Sequence, residues 1–325
     1  MTTVARAPRR DEVLGVPRDT VAIAGRAQFA CVLEASAPKP GNVSPGRPFS
    51  DVRYEDFLVS AEVIARPLEG AGRRPLGETI FMAVEATAAR TRANTNLGIV
   101  LLLAPLARAA VRLLDAPASP DRSDRLRNLR REVGFVLRDT TVGDASQAYR
   151  AIRLAHPGGL GNAEEQDVAT EPTITLLETM RLAADRDGIA REWTTTYEST
   201  FERGVPALLN ARADGLVLSD AIVETYLTLL AGAPDTHIVR RGGDALAQRV
   251  SRLAADALAA GGIRSEGGRR AIDAMDAALR DARNLANPGT TADLTAATLF
   301  VALLVGGWAL GPADGRHGGE RAKES

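Results

Sequence analysis

Two long stretches of this chain, Thr95–Ala110 and Thr290–Leu310, are apolar on nearly every side when wound as helices. A helix that is apolar all round cannot face water, so each one requires a coat of amphipathic helices. The rest of the chain supplies that coat. Apolar residues recur at helical spacing over Asp19–Ala35, Arg53–Arg66, Leu76–Arg92, Arg122–Leu137 and Asp144–Leu154. The pattern continues over Thr173–Asp187, Ile189–Phe201, Val205–Ala213, Ser219–Leu230, Asp244–Ala260 and Gly267–Arg283. The first apolar stretch extends as a helix to Leu114 and contains Pro105, which is expected to kink or split it. No run alternates β-branched with polar residues, and no fixed-period repeat recurs. The expected fold is therefore all-α, a single bundle with central apolar helices. Residues 1–18 read as a flexible arm, 19–311 as the folded domain and 312–325 as a disordered tail rich in glycine and charge.

Composition narrows the partners. A net charge of −1 offers no broad basic surface, so nucleic acid is not expected. The longest apolar stretch, near Leu294–Leu310, is broken by threonine and glycine and falls short of the ~20 apolar residues of a membrane span. No apolar signal core follows the basic segment Met1–Arg10, and the expected location is the cytoplasm, away from membranes. One cysteine, Cys31, rules out an intrachain disulfide or a Cys-cluster zinc site. With His156, His237 and His317 as the only histidines, a multi-histidine metal site is not expected either. A homo-oligomer stays open, since an apolar helix face buries against a copy as readily as against its own core.

Five polar interruptions punctuate the helices. In the first, the helix ending near Ala35 meets Pro38-Lys39-Pro40-Gly41-Asn42, and the two prolines forbid its continuation. The stop places Glu34 beside a stiff turn carrying Lys39, which with Lys323 is one of only two lysines among 40 basic residues. Such a turn can grip a polar ligand, or it can be ordinary punctuation. The second, Asn94-Thr95-Asn96-Leu97-Gly98, can cap the helix that follows or offer its free N–H groups to phosphate. The third runs His156-Pro157-Gly158-Gly159-Leu160-Gly161 and continues to Glu164, Glu165 and Asp167. It is either a ligand loop whose carboxylates hold Mg²⁺ or an acidic surface loop, and it lacks the Gly-Lys-Ser/Thr of a Walker A motif. The fourth, Asp235-Thr236-His237-Ile238-Val239-Arg240-Arg241-Gly242-Gly243, combines a carboxylate, an imidazole and two guanidiniums. That set suits a phosphorylated substrate with proton transfer, or a solvated interhelical loop. The fifth, Asn287–Asp293, reads as a capped turn in which Thr290 or Thr291 caps and Asp293 complements the dipole or takes part in chemistry.

Taken in order, these pieces resemble the triphosphoribosyl-dephospho-CoA synthase family. The matching segments are Pro38–Asn42, Tyr54–Ala61, Asn94–Gly98, Asp235–His237 with Arg240–Gly242, and Asn287–Gly289 with Ala292–Leu294. The resemblance spans about Glu34 to Leu304. It implies an all-α fold and a Mg²⁺-assisted reaction in which a ribose hydroxyl of dephospho-CoA attacks the ribosyl C1 of ATP and adenine leaves. Substitution at an anomeric carbon passes through an oxocarbenium-like state and needs a nearby carboxylate and a base. Under the resemblance, Glu34 and Asp235 are the candidates for those roles, and His237 assists proton transfer to the departing base. Lys39, Arg240 and Arg241 hold the triphosphate, with Gly41, Asn42, Asn94, Thr95, Asn96 and Gly242 shaping the nucleotide and phosphate site. Asp167 and Asp293 are the candidate Mg²⁺ ligands. One segment departs from the family pattern: Asn96 and Leu97 stand where the well-studied synthases resemble Asn-Thr-His-Lys-Gly. That change leaves two further readings. One is ribosyl transfer to another acceptor, as in tetrahydromethanopterin-type cofactor assembly. The other is a non-catalytic all-α nucleotide-binding protein.

Overall fold

A computed structural model of the protein describes residues 15–91, 94–159, 161, 163–281 and 283–306. In chain order the helices are α1 Thr20–Ser36, α2 Tyr54–Val63, α3 Ala65–Glu69, α4 Leu76–Ala88, α5 Leu97–Arg112, α6 Arg122–Arg138 and α7 Val142–Ala155. They continue with α8 Leu176–Ala183, α9 Gly188–Thr195, α10 Val205–Ala213, α11 Leu218–Gly232 and α12 Thr236–Gly242. The last three are α13 Asp244–Ala259, α14 Glu266–Leu279 and α15 Gly289–Val305. Among the described residues there is no strand, only an isolated bridge between Ser44 and Arg47. The fold is all-α. No described helix is long and apolar enough to cross a membrane.

The two apolar stretches are α5 and α15, and they pack on one another at the centre. Around α5 lie α1, α4, α6, α7 and α9; around α15 lie α1, α10, α11 and α12. Nearly every side chain of α15 from Thr295 to Val305 is buried, which is what a helix without a polar face demands. Side-chain caps mark most of the outer helices. Asp19 caps α1, Thr141 and Thr175 form capping boxes on α7 and α8, and Ser265 caps α14.

Several boundaries differ from the sequence expectation. Pro105 does not split α5, which runs on to Arg112. A proline at that position removes the N–H that would bond the Leu101 carbonyl one turn earlier. The Trp193 indole N–H supplies that bond instead at 3.1 Å, and the Tyr197 hydroxyl donates to the neighbouring Leu102 carbonyl at 2.8 Å. The same anchoring breaks the helix expected over Ile189–Phe201. Thr196 and Tyr197 adopt left-handed φ of 53° and 59°. A π-helical turn, Ser199–Gly204, follows, its start tied to the buried Glu192 carboxylate by the N–H groups of Ser199 and Thr200, each at 2.9 Å. The Arg53–Arg66 stretch divides at Ile64 into α2 and α3, and the Gly267–Arg283 stretch ends at Leu279. The stretch read as an interhelical loop from Asp235 is a helix, α12. The expected tail 312–325, residues 1–14 of the arm and the end of the last apolar stretch lie outside the described residues.

Candidate functional site

The first residues of α5, α9 and α15 open on one cavity of about 720 Å³. Helix starts carry partial positive charge, so their convergence favours an anionic ligand. The cavity size lies in the range of small-molecule sites. The end of α1 and the Asn94–Gly98 segment contribute to the wall, as do the first turns of α15, residues of α7 and α8, and α12.

The opening turn is built around an ion pair. Lys39 is 1% exposed and Glu34 3%, and the ammonium lies 3.0 Å from Glu34 Oε1. Lys39 also donates to the carbonyls of Glu34 and Ala37, so its three donors are engaged within the turn. Glu34 lines the cavity; Lys39 does not. The lysine thus holds the catalytic candidate in place rather than reaching a triphosphate. Gly41 has φ 76° and donates to Asp276 Oδ1 at 2.8 Å. A Cβ there would sit 2.7 Å from Leu279 Cδ1, so the residue serves the turn's close approach to α14. Arg280 bonds both Asp276 and the Asn42 carbonyl, closing the clamp. Asn42 lines the cavity and donates to Asn287 Oδ1 at 3.0 Å.

Asp235 is 2% exposed and its two oxygens accept four hydrogen bonds. Oδ1 caps α12 through the N–H groups of His237 and Ile238, and Oδ2 takes the N–H and hydroxyl of Thr291, both at 2.7 Å. Burial raises its pKa despite those bonds. Asp235 lies behind the cavity wall as the tie between α12 and α15 and does not line the cavity itself. The neighbouring residue Thr290 accepts the His237 N–H at 3.1 Å through its hydroxyl, so α15 and α12 cap one another. That tie aims α12 at the cavity. His237, Arg240 and Arg241 all line it, whereas Gly242 does not and packs on Leu246. Burial, then the Arg240 and Arg241 charges, lowers the His237 pKa to about 4. The imidazole is therefore uncharged near neutral pH and is not a stored acid. Arg240 pairs with Asp187 at 2.5 Å, and its Nε is buried without a partner among the described residues. Arg241 donates to the carbonyls of Arg283 and Asn284 at 2.8 and 3.2 Å.

The Asn94–Gly98 segment also divides its duties. Asn94 Oδ1 accepts the Leu97 N–H at 3.3 Å and caps α5. Thr95 shares a short hydroxyl contact with Ser60, and the Asn96 amide donates to Thr87 Oγ1 at 2.8 Å. All three line the cavity. A Cβ on Gly98 would lie 2.0 Å from Asp293 Oδ2, so only glycine admits that carboxylate. Asp293 lines the cavity and receives no hydrogen bond from the described residues. Burial, then the charges of Glu34 and Asp235, pushes its pKa well above the usual carboxylate range. A buried carboxyl near other carboxylates is one whose charged form a bound cation would stabilise. No three acidic, histidine or cysteine side chains cluster closely enough to cage a metal among the described residues. That donor set fits Mg²⁺, which commonly takes one or two protein carboxylates and completes its shell with phosphates and water. Asp167 lines the cavity too, but the N–H groups of Ala163 and Ala169 hold its oxygens at 2.6 and 2.8 Å and lower its pKa. It organises its own loop.

Asp187, Arg186 and Phe49 line the cavity and escape the sequence reading, whereas Phe57 lies within the matching segment Tyr54–Ala61. Asp187 caps α9 while pairing with Arg240. An Asp-Gly step is a cap signal, but it sits at the end of an expected helix and reads there as a helix residue. The five segments singled out by motif do meet. Asn42 bonds Asn287, Ser60 meets Thr95, Gly98 packs on Asp293, Asp235 bonds Thr291, and His237 lies against Gly289.

Comparison with known proteins agrees with that assembly. The family model described as ATP:dephospho-CoA triphosphoribosyl transferase matches residues 20–311. A 2-(5''-triphosphoribosyl)-3'-dephosphocoenzyme-A synthase of Klebsiella pneumoniae is 37% identical over 102 residues, 31% of this chain and 36% of that protein. Its namesake from Pectobacterium atrosepticum is 39% identical over 115 residues, 34% of this chain and 35% of that one. The aligned stretch spans little more than a third of these curated relatives. A crystal structure from Archaeoglobus fulgidus bearing the triphosphoribosyl-dephospho-CoA synthase name superposes with a TM-score of 0.58 at 28% identity, covering 77% of this chain and 100% of that one. Its fold, the knitting of its motif segments and the match over nearly the whole described chain place the protein in the ATP:dephospho-CoA triphosphoribosyl transferase family.

Proposed function

We propose that the protein transfers the triphosphoribosyl group of ATP to a ribose hydroxyl of dephospho-CoA and releases adenine. The observation that carries this reading is one cavity lined by Glu34, Asp293, Arg240 and Arg241. Arg240 and Arg241 bind the triphosphate, for which planar guanidiniums are suited, and the partial positive charge of the helix starts adds to the attraction. Phe49 and Phe57 supply aromatic faces for the adenine. As the C1–N bond breaks, positive charge grows on the ribose, and the Glu34 carboxylate, held by Lys39, stabilises it. The attacking hydroxyl gives its proton to Glu34 as the new C1–O bond forms, and the adenine ring takes a proton from water as the C1–N bond breaks. Glu34 then returns its proton to water, so the proton lost by the hydroxyl balances the one adenine gains. His237 takes part as an uncharged hydrogen-bonding group. Mg²⁺, when bound, spreads the triphosphate charge, and Asp293 is the residue that would hold it. Chemistry on ATP and dephospho-CoA belongs in the cytoplasm.

One observation favours a second acceptor. The Asn96 amide is engaged by Thr87 and Leu97 is buried, so neither offers a charge to a phosphate. Ribosyl transfer to another hydroxyl, of the tetrahydromethanopterin-assembly type, is the alternative that follows. Incubation with ATP and Mg²⁺, alone, with dephospho-CoA or with cell extract, followed by chromatography for free adenine, decides between them. Release that requires dephospho-CoA supports the first reading, and release only with extract supports the second. Saturable ATP binding without release would leave a nucleotide-binding protein.

A further inference from the structure

One side of the cavity, the α7–α8 arm, is lined mainly by apolar side chains. Tyr149 and Ile152 of α7, Val168 of the following loop, and Leu176, Met180 and Leu182 of α8 form it. The polar atoms along this wall are already engaged. The Tyr149 hydroxyl donates to the Gln166 carbonyl at 2.5 Å, and Thr179 donates to the Leu176 carbonyl at 2.8 Å. Nothing there asks a ligand for hydrogen bonds. Leu182 is 45% exposed, so the arm opens to solvent. Arg186 lines the cavity just before α9, close enough to Tyr149 and Asp167 for its charge to act on both. Its guanidinium makes no hydrogen bond with the described residues. An apolar trough with a cation beside it suits a flexible, mostly uncharged chain attached to a diphosphate.

We propose that this α7–α8 arm holds the pantetheine chain of the acceptor, with Arg186 on the acceptor's diphosphate. The inference rests on the triphosphoribosyl-transfer reading and adds to it where the acceptor lies. Steady-state kinetics with dephospho-CoA and with ADP, which keeps the ribose and diphosphate but lacks pantetheine, test it. Wild-type kcat/KM is expected to be at least about tenfold lower with ADP. Leu182→Glu should raise KM for dephospho-CoA about tenfold or more while KM for ATP stays put. Arg186→Ala should raise KM for both acceptors. A rise in the ATP KM with Leu182→Glu would assign the arm to ATP and overturn the proposal, as would equal use of ADP and dephospho-CoA. Calorimetric binding of dephospho-CoA separates the two levels of inference. If no adenine is released yet Leu182→Glu weakens that binding tenfold, the arm stands and the reaction reading falls. If adenine is released and binding is unchanged in the variant, the arm falls alone.

Discussion

The buried contact between Lys39 and Glu34 shows how one residue's position changes its meaning. A buried ion pair holds together only while both partners remain, because removing one strands a charge in low dielectric. Lys39→Met should therefore lower stability by about 3–5 kcal/mol in urea titration. Adding Glu34→Gln to that variant should restore most of the stability and none of the turnover; recovery of turnover would remove Glu34 from the chemistry. Asp293 carries the opposite signature. Its carboxyl is raised in the fold, so the folded state holds the proton to higher pH than the unfolded chain and stability falls as pH rises. Asp293→Asn should melt higher than the wild type at pH 8, with the gap closing toward pH 4, and should lose Mg²⁺-dependent turnover. His237 has the reverse sign. Its pKa drops from 6.5 to about 4 on folding, so stability is present above 6.5 and lost as pH falls toward 4. His237→Gln should flatten that limb in melting curves taken across the window.

At the scale of elements, helix periods and caps were legible because burial and backbone bonding are local. The α1, α6, α10 and α13 ends lie within about two residues of the expectation for that reason. What was not legible depends on partners far along the chain. Pro105 reads as a breaker, and only the fold brings Trp193 to the carbonyl it orphans. Trp193→Phe keeps an aromatic side chain but removes the donor, which should cost about 1–3 kcal/mol for the orphaned carbonyl in addition to the loss of indole volume. Adding Pro105→Ala, which returns an N–H to Leu101, should recover part of that loss in the same urea titration. Strict additivity of the two substitutions would contradict the role given to the indole. The α12 stretch is similar. Seven residues that end on Gly242 and are followed by Gly243 carry little helical signal, and the cap from Asp235 is fixed only when Thr291 arrives from α15.

Over the whole molecule, the cavity is walled by segments from Glu34 to Asp293, so no single element owns it. Motif order in the sequence pointed to segments that meet around one cavity. It did not separate the groups that line the space, Glu34, Asp293, Arg240 and Arg241, from Lys39 and Asp235, which stand behind them. That division follows from burial and competing hydrogen bonds, which motif spacing does not encode. A ligand touching so many elements should stabilise all of them together. Mg²⁺ with ATP at a hundred times its Kd should add about 2.7 kcal/mol to unfolding, and chelation of the metal should remove most of it. The buried turn also has a practical consequence for anyone attaching a dye or cross-linker. The chain has only two lysines, Lys39 and Lys323, and the Lys39 side chain is 0% exposed. An amine-reactive reagent therefore meets Lys39 only when the turn comes apart, so mass-spectrometric labelling at that position acts as a clock for opening of the folded core.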